Sequence, residues 1–181
     1  INLMKFRNDD GSLDIEGYQQ AIKIFIIAQE IIVEMSSYPT APIAKNSYDY
    51  RPLGLGYANL GTLLMTNGIP YDSPQARDWV GAVTAILCGH AYKTSAELAE
   101  VKGPFQGFAN NREPMLRVMN KHRDAAYQLD VRHCPEDLLK AAREDWDEAV
   151  ELGEQNGYRN SQATVIAPTG TVGLLMDCAT T

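Results

Sequence analysis

The chain has 181 residues, of which 45% are hydrophobic, and this is enough to form one sizeable hydrophobic core. The formal net charge of -7 at pH 7 disfavours a protein that wraps a nucleic acid, because such binding needs a surplus of Lys and Arg. A small anionic ligand that is recognised locally remains compatible with this charge.

The cysteines and the apolar stretches indicate in which cellular compartment the protein is expected. Cys88, Cys134 and Cys178 lie far apart without a CxxC pair, so the sequence suggests neither a zinc site nor a disulfide framework. The most apolar stretch, residues 22–35, is interrupted by polar and charged side chains such as Lys23, which predicts a core helix instead of a membrane span. No secretory signal opens the sequence. We therefore expect a cytoplasmic protein with no membrane or nucleic-acid partner.

The first part of the chain, up to residue 68, is predicted to contain two helices joined by a connector. Asp14 is a plausible N-cap for a helix that runs to about Met35, and its apolar residues on nearly every face predict deep burial. Residues 36–57 contain several Pro and Gly and lack any periodicity, which predicts an ordered connector. A short helix is predicted for residues 58–67, ended by Gly68.

Three longer helices are predicted in the middle of the chain. Ser73 followed by Pro74 is a start signal for a helix to about Val101. The next helix is predicted to have Pro114 near its start and to end at about Leu129. Another begins at Pro135, with one apolar stripe formed by Leu138, Leu139, Ala142, Trp146, Ala149 and Val150.

One convincing strand, residues 163–167, leads into Pro168-Thr169-Gly170-Thr171 and a second apolar helical pattern. A single strand cannot make a sheet, so we expect its partners to come from another chain or from parts of a parent protein outside this sequence. The sequence starts at Ile1 and stops directly after an apolar helical pattern. We therefore expect residues 1–181 to be a single partial domain, predominantly α-helical, from inside a larger protein.

The segment after the strand is a candidate anion site. Amides at a helix start have no partner inside the helix, and the helix dipole is positive there. Gly170 would let an anion approach the backbone, while Thr169 and Thr171 could add hydroxyl donors. The same residues are also an ordinary turn and helix cap, and their spacing alone does not decide between the two interpretations.

Other candidate motifs favour structural interpretations. Residues 51–56 are rich in glycine, but they follow a polar segment and no Walker lysine follows, so a dinucleotide fingerprint is not predicted. Cys134, before Pro135-Glu136-Asp137, is assigned to a helix cap, and Cys88 to a buried small hydrophobe. The role of Cys178 stays open.

The three histidines are not predicted to be catalytic. His122 and His133 flank charged residues and are expected to be solvated, whereas His90 lies inside a helix and is expected to be packed. The sequence predicts no metal site.

Several separated motifs resemble one family. Residues 51–61 and 67–71 resemble the barrel region of ribonucleotide reductase large chains, and residues 111–117 agree with it. Residues 160–171 are similar to the substrate-phosphate loop of that family. The Thr-Gly-Thr form, with Met176-Asp177-Cys178 nearby, resembles the adenosylcobalamin-dependent class II members. The resemblance covers the chain from Ile1 to Thr181, with the motifs in the order of the family.

The resemblance implies an α/β parent fold, a ten-stranded α/β barrel with a finger loop inside, to which this chain would supply outer helices and one strand. It implies reduction of ribonucleotides to deoxyribonucleotides by a cysteine thiyl radical. The Asn-x-Cys-x-Glu loop and the second reducing cysteine would precede residues 1–6, and Arg132 stands in place of the Asn before Cys134-Pro135-Glu136. No catalytic residue is therefore assigned here. The positions that match the phosphate-binding residues are Pro168, Thr169, Gly170, Thr171 and Val172.

The implied cofactor is adenosylcobalamin, bound by the parent protein and not by this segment alone. The implied partners are a ribonucleotide substrate, a thioredoxin-like reductant and the remaining barrel segments, and the segment alone is expected to be inactive. Two alternatives stay open: a segment of an oxygen-dependent class I large subunit, or a free-standing helical module that docks onto a partner protein. The choice between diphosphate and triphosphate substrates is also open.

Overall fold

The computed structural model describes residues 1–181, and its architecture is dominated by helices. A 3₁₀ helix, Leu3–Phe6, comes first. The α-helices are α1 (Ile15–Met35), α2 (Ala41–Tyr50), α3 (Leu60–Thr66), α4 (Pro74–Lys102), α5 (Phe108–Tyr127), α6 (Glu136–Asn156) and α7 (Gly170–Leu175). None of these helices combines the length and the apolar character needed to cross a lipid bilayer.

Helices α4 and α6 pack against each other at the centre of the hydrophobic core. The hydroxyl of Ser73 accepts a hydrogen bond from the amide of Ala76 at 3.0 Å, which confirms the predicted start of α4. Gly89 lets the two helices approach closely, since a Cβ there would lie 3.1 Å from the ring of Trp146. All six residues of the predicted apolar stripe of α6 are buried. Each large side chain in that stripe contributes about 1.5–3 kcal/mol by its burial.

Helix α1 begins where the sequence predicts, but it is not deeply buried. Asp14 accepts a hydrogen bond from the amide of Gly17 at 3.0 Å, which confirms the N-cap. Only one face, which includes Tyr18, Ile22 and Ile26, is buried. The prediction of burial on every side is wrong, because no other element of the chain covers the opposite face. Large exposed side chains on that face are Ile24, Phe25, Ile31, Ile32 and Met35.

The segment 36–57, predicted as a connector, contains helix α2. Pro42 lies in the first turn of α2, where amides have no partner inside the helix, so it is compatible with a helix start. Arg51 ends α2 in the left-handed conformation, with φ of 50°. The density of Pro and Gly therefore marks the boundaries of a helix and not its absence.

Helix α5 begins at Phe108, six residues before Pro114, so the predicted start near this proline is wrong. Pro114 has no amide to donate to the carbonyl of Asn110 one turn earlier. Asn110 is exposed, and water can therefore bind that carbonyl. The side chain of Asn111 donates to the carbonyl of Gly107 at 2.8 Å and supports the first turn.

Three extended segments run in parallel, and they correct the prediction for the strand. Asn2 pairs with Ala58, and Leu55 pairs with Thr164. The predicted strand is reduced to this second bridge, in which the amide of Val165 donates to the carbonyl of Leu55 at 2.9 Å. Its partner on one edge belongs to this same chain, so the expectation that all partners lie elsewhere is wrong. Of the predicted α/β parent fold, this chain therefore shows helices and short parallel pairs of extended residues.

Candidate functional site

The candidate anion loop, residues 168–172, connects the paired segment to helix α7. Helix α7 begins at Gly170, and the carbonyl of Thr169 accepts the amide of Gly173 at 2.7 Å. The amides of Gly170, Thr171 and Val172 donate to no acceptor in the protein. Three free donors therefore lie at the positive end of a helix, where a negative charge is stabilised.

Thr169 combines two features that favour a ligand. Its backbone is left-handed, with φ of 54° and ψ of 28°, a conformation that costs a β-branched residue about 1–3 kcal/mol. Its hydroxyl oxygen Oγ1 is buried, finds no hydrogen-bond partner and does not cap the helix. A buried hydroxyl without a partner costs about 1–3 kcal/mol, and a ligand oxygen would remove that cost.

Gly170 is not required by the packing of the protein itself. Its φ is not in the left-handed region, and a Cβ there would meet no atom within 4 Å. Thr171 and Val172 are exposed beside it, and Pro168, which has no amide, is exposed before it. The space next to the free amides is open, as the binding of an anion would require.

A cavity of about 500 Å³ lies beside the loop. Thr169 and Val172 line it, as do Phe25 and Gln29 of α1 and Lys5 of the 3₁₀ helix. Its volume is in the range of ligand-binding cavities, and it lies beyond the carboxyl end of the paired segment, where α/β proteins bind ligands.

Two asparagines hold the segment after α7 in place, and the sequence did not reveal them as site residues. Asn59 is buried, and its Oδ1 accepts the amides of Ala179 and Thr180 at 3.1 and 3.2 Å. Its Nδ2 donates to Oδ1 of Asn2 at 3.0 Å, and Asn2 in turn donates to the carbonyl of Met176 at 3.2 Å. These bonds tie the end of α7 to the first parallel pair.

A buried polar network holds the other ends of the paired segments. Oε1 of Glu30 accepts Nε of Arg51 at 2.6 Å and Nε of Arg159 at 2.7 Å. Oε2 of Glu30 accepts Nδ2 of Asn160 at 2.7 Å. These partners directly precede residues 53–58 and 162–165, so the network fixes the position of both segments. In the sequence, Glu30 is only a polar interruption of an apolar stretch.

Cys88 and Cys134 are not activated as nucleophiles. Pro135 is the N-cap of α6, so Cys134 lies one residue before the cap instead of at it. Burial, together with Asp78 and Asp130, raises the pKa of Cys134 to about 11. Cys88 is half-buried, less than predicted, with its sulfur 3.3 Å from the hydroxyl of Thr164, and burial raises its pKa. Both side chains are thiols at neutral pH.

The histidines are engaged with other side chains. His90 is buried, with Nδ1 2.8 Å from Oδ1 of Asp145, which confirms that it is packed. His122 is exposed as predicted, although its ring also stacks on Trp146 at 5.4 Å between centroids. The prediction of a solvated His133 is wrong: it is half-buried, and its Nδ1 lies 2.6 Å from Oδ2 of Asp78.

One group of possible metal ligands comes together that the sequence did not predict. Ligand atoms of Asp78, Asp130 and His133 lie within 4.8 Å of one another. The guanidinium of Arg132 binds both carboxylate oxygens of Asp130, and His133 is bonded to Asp78. Each member therefore already has a partner inside the protein.

The chain is a helix-rich α/β protein in which short parallel pairs end beside a loop of free amides, at a cavity. The family model described as "Ribonucleotide reductase, barrel domain" matches residues 1–181. The chain belongs to the ribonucleotide reductase family.

The names of similar proteins agree with the adenosylcobalamin-dependent class, whose motifs this chain resembles. The chain is 57% identical over its whole length to a protein of Rhodopirellula baltica, and 48% identical over its whole length to one of Agrobacterium fabrum, both named "Vitamin B12-dependent ribonucleotide reductase". It covers 17% and 16% of their lengths. Identity falls to 31%, over 89% of the chain and 24% of the relative, for a Mycoplasma pneumoniae protein named "Ribonucleoside-diphosphate reductase subunit alpha".

Proposed function

We propose that this chain is a segment of an adenosylcobalamin-dependent ribonucleotide reductase and that its loop 168–172 binds the phosphate of the substrate. The supporting observation is the coincidence of three free amides with the buried, unpartnered hydroxyl of Thr169 at one end of a cavity. The names of the most similar relatives support the class of the parent enzyme.

The role proposed for the chain is to bind and orient the substrate. The amides of Gly170, Thr171 and Val172 would donate to phosphate oxygens, and the hydroxyl of Thr169 would add a fourth donor. Such contacts hold the ribose at a fixed distance from the reacting groups of the parent, which lie outside these residues. Because the resemblance places the hydrogen-abstracting cysteine and the reducing pair outside these residues, we expect the segment alone to form no deoxyribonucleotide from ribonucleotide, adenosylcobalamin and a dithiol.

Adenosylcobalamin would supply the radical chemistry in the parent protein, but the residues described here do not fit it. The cavity beside the loop has the size of a site for a much smaller molecule than a corrinoid with its two nucleosides.

The partners proposed for the parent follow from the same function. They are a ribonucleotide di- or triphosphate, a thioredoxin-like reductant in the cytoplasm, and the remaining barrel segments of the parent. The exposed apolar face of α1 gives those segments a surface to cover, since such faces are costly in water. In this proposal residues 1–181 are one part of the barrel domain.

The test is Gly170→Val in the full-length reductase that contains this segment. The new side chain would stand between the amides and the phosphate, so nucleotide affinity should fall by about 1.5–3 kcal/mol, the range for hydrogen bonds to charged groups. Equilibrium dialysis with a labelled ribonucleotide measures the change, and KM should rise with it. The unfolding midpoint serves as the control and should stay close to wild type, because the space beside Gly170 is empty. Unchanged affinity in a folded variant would leave residues 168–171 as a helix cap only.

A further inference from the structure

We propose that the ammonium group of Lys5 binds a second phosphate of the polyphosphate substrate, in the cavity that Thr169 and Val172 also line. This inference rests on the proposed function, because it assumes that the cavity receives a nucleotide. It assigns a binding role to a residue at the start of the chain, far in sequence from the loop.

The first observation is the charge of the cavity. Lys5 is the one residue with a charged side chain among those that line it, and no carboxylate lines it. The chain as a whole carries 23 acidic and 16 basic residues. A cavity without acidic side chains in an acidic protein favours an anionic ligand, and a single cation in its wall favours one placed near that cation.

The second observation is that Lys5 has no internal partner. Its ammonium makes no hydrogen bond and no ion pair in the protein, whereas Lys23 binds Glu97 and Lys93 binds Glu148. The 3₁₀ helix that carries it is fixed, since Leu3 is fully buried and the amide of Met4 donates to Asn2. Lys5 is exposed, and its unpaired ammonium can bind a ligand without first breaking a salt bridge.

The third consideration is the negative charge of the substrate that the site must neutralise. The loop offers neutral donors and a helix dipole, which suit one phosphate group. A di- or triphosphate carries further charge, and a lysine is a usual point charge for it. Lys5 and the loop on one cavity would therefore hold the chain of phosphates at two points.

The experiment uses the full-length reductase that contains this segment, with Lys5→Met as the test variant and Lys5→Arg as the charge-preserving variant. Lys121→Met is the matched control, because Lys121 also has no ion pair and does not line this cavity. Dissociation constants are measured by equilibrium dialysis for the mono- and diphosphate of one ribonucleoside at two salt concentrations.

Lys5→Met should weaken diphosphate binding about tenfold or more, the factor that one hydrogen bond to a charged group contributes. It should change monophosphate binding less than twofold and reduce the salt dependence of diphosphate binding. Lys5→Arg should recover most of the affinity, and Lys121→Met should bind as wild type. Wild-type diphosphate affinity in a folded Lys5→Met protein would overturn the inference, and so would an equal loss for both nucleotides.

The Gly170→Val variant in the same assay separates the two proposals. If Gly170→Val weakens binding and Lys5→Met does not, the loop binds phosphate and only the role of Lys5 is rejected. If neither variant changes affinity, the proposed phosphate site itself is rejected.

Discussion

The backbone of Gly56 passes so close to Val165 that a Cβ atom on Gly56 would lie 2.2 Å from the carbonyl oxygen of Val165. The amide of Val165 donates to the carbonyl of Leu55 at 2.9 Å, so the close approach is part of the parallel pair. Residue 168, where the candidate anion loop starts, follows shortly after this contact. The absence of a side chain at residue 56 thus helps to set the position of the loop.

Gly56→Ala should destabilise the protein by about 1–3 kcal/mol, the usual cost of inserting a methyl group into a filled space. The clash is with backbone, which cannot move away as a flexible side chain could. Urea unfolding measures the change. Gly170→Ala is the matched control, because nothing lies within 4 Å of its added Cβ, and it should stay within about 0.5 kcal/mol of wild type. Equal stabilities of the two variants would contradict the close contact.

Glu30→Ala should cost about 3 kcal/mol or more, because it leaves the guanidinium of Arg51 buried with its main partner removed. Glu34→Ala is a matched control, since Oε2 of Glu34 also binds Arg51, at 2.7 Å, but its side chain is 62% exposed. The pair that Arg51 makes with the exposed carboxylate of Glu34 should contribute less than about 1 kcal/mol. Chemical denaturation of both variants checks the difference, and similar losses would argue against the buried network as an anchor of the paired segments.

The raised pKa of Cys134 predicts a loss of stability at alkaline pH. The folded chain keeps the neutral thiol up to about pH 11, whereas the thiol of an unfolded chain ionises near its ordinary pKa of 9.0. The raised pKa of Cys134 therefore contributes its full share of the folding stability below about pH 9, and this share is lost as the pH rises towards 11. The stability of Cys134→Ala should therefore fall less than that of wild type over this range. Unfolding midpoints at several pH values measure it, and parallel curves for the two proteins would show that Cys134 ionises normally.

Local features of this protein could be predicted from the sequence. Asp14 and Ser73 cap their helices as expected, and the apolar stripe of α6 is buried as its spacing predicts. These features depend on hydrogen bonds and side chains within a turn or two of the chain. The motifs of the reductase family also predicted the family that the comparison of the whole chain confirms.

The contacts around the candidate site were decided only by tertiary structure. Asn160 donates to the carbonyl of Arg51 at 3.0 Å across 109 residues of sequence, and neither residue carries a local signal for that bond. Three other features also had no local signal in the sequence: the pairing of Leu55 with Thr164, the exposed face of α1 and the unpartnered hydroxyl of Thr169. Hydrophobic periodicity shows that a side chain prefers burial, but which distant backbone or side chain it meets depends on how the helices pack around it.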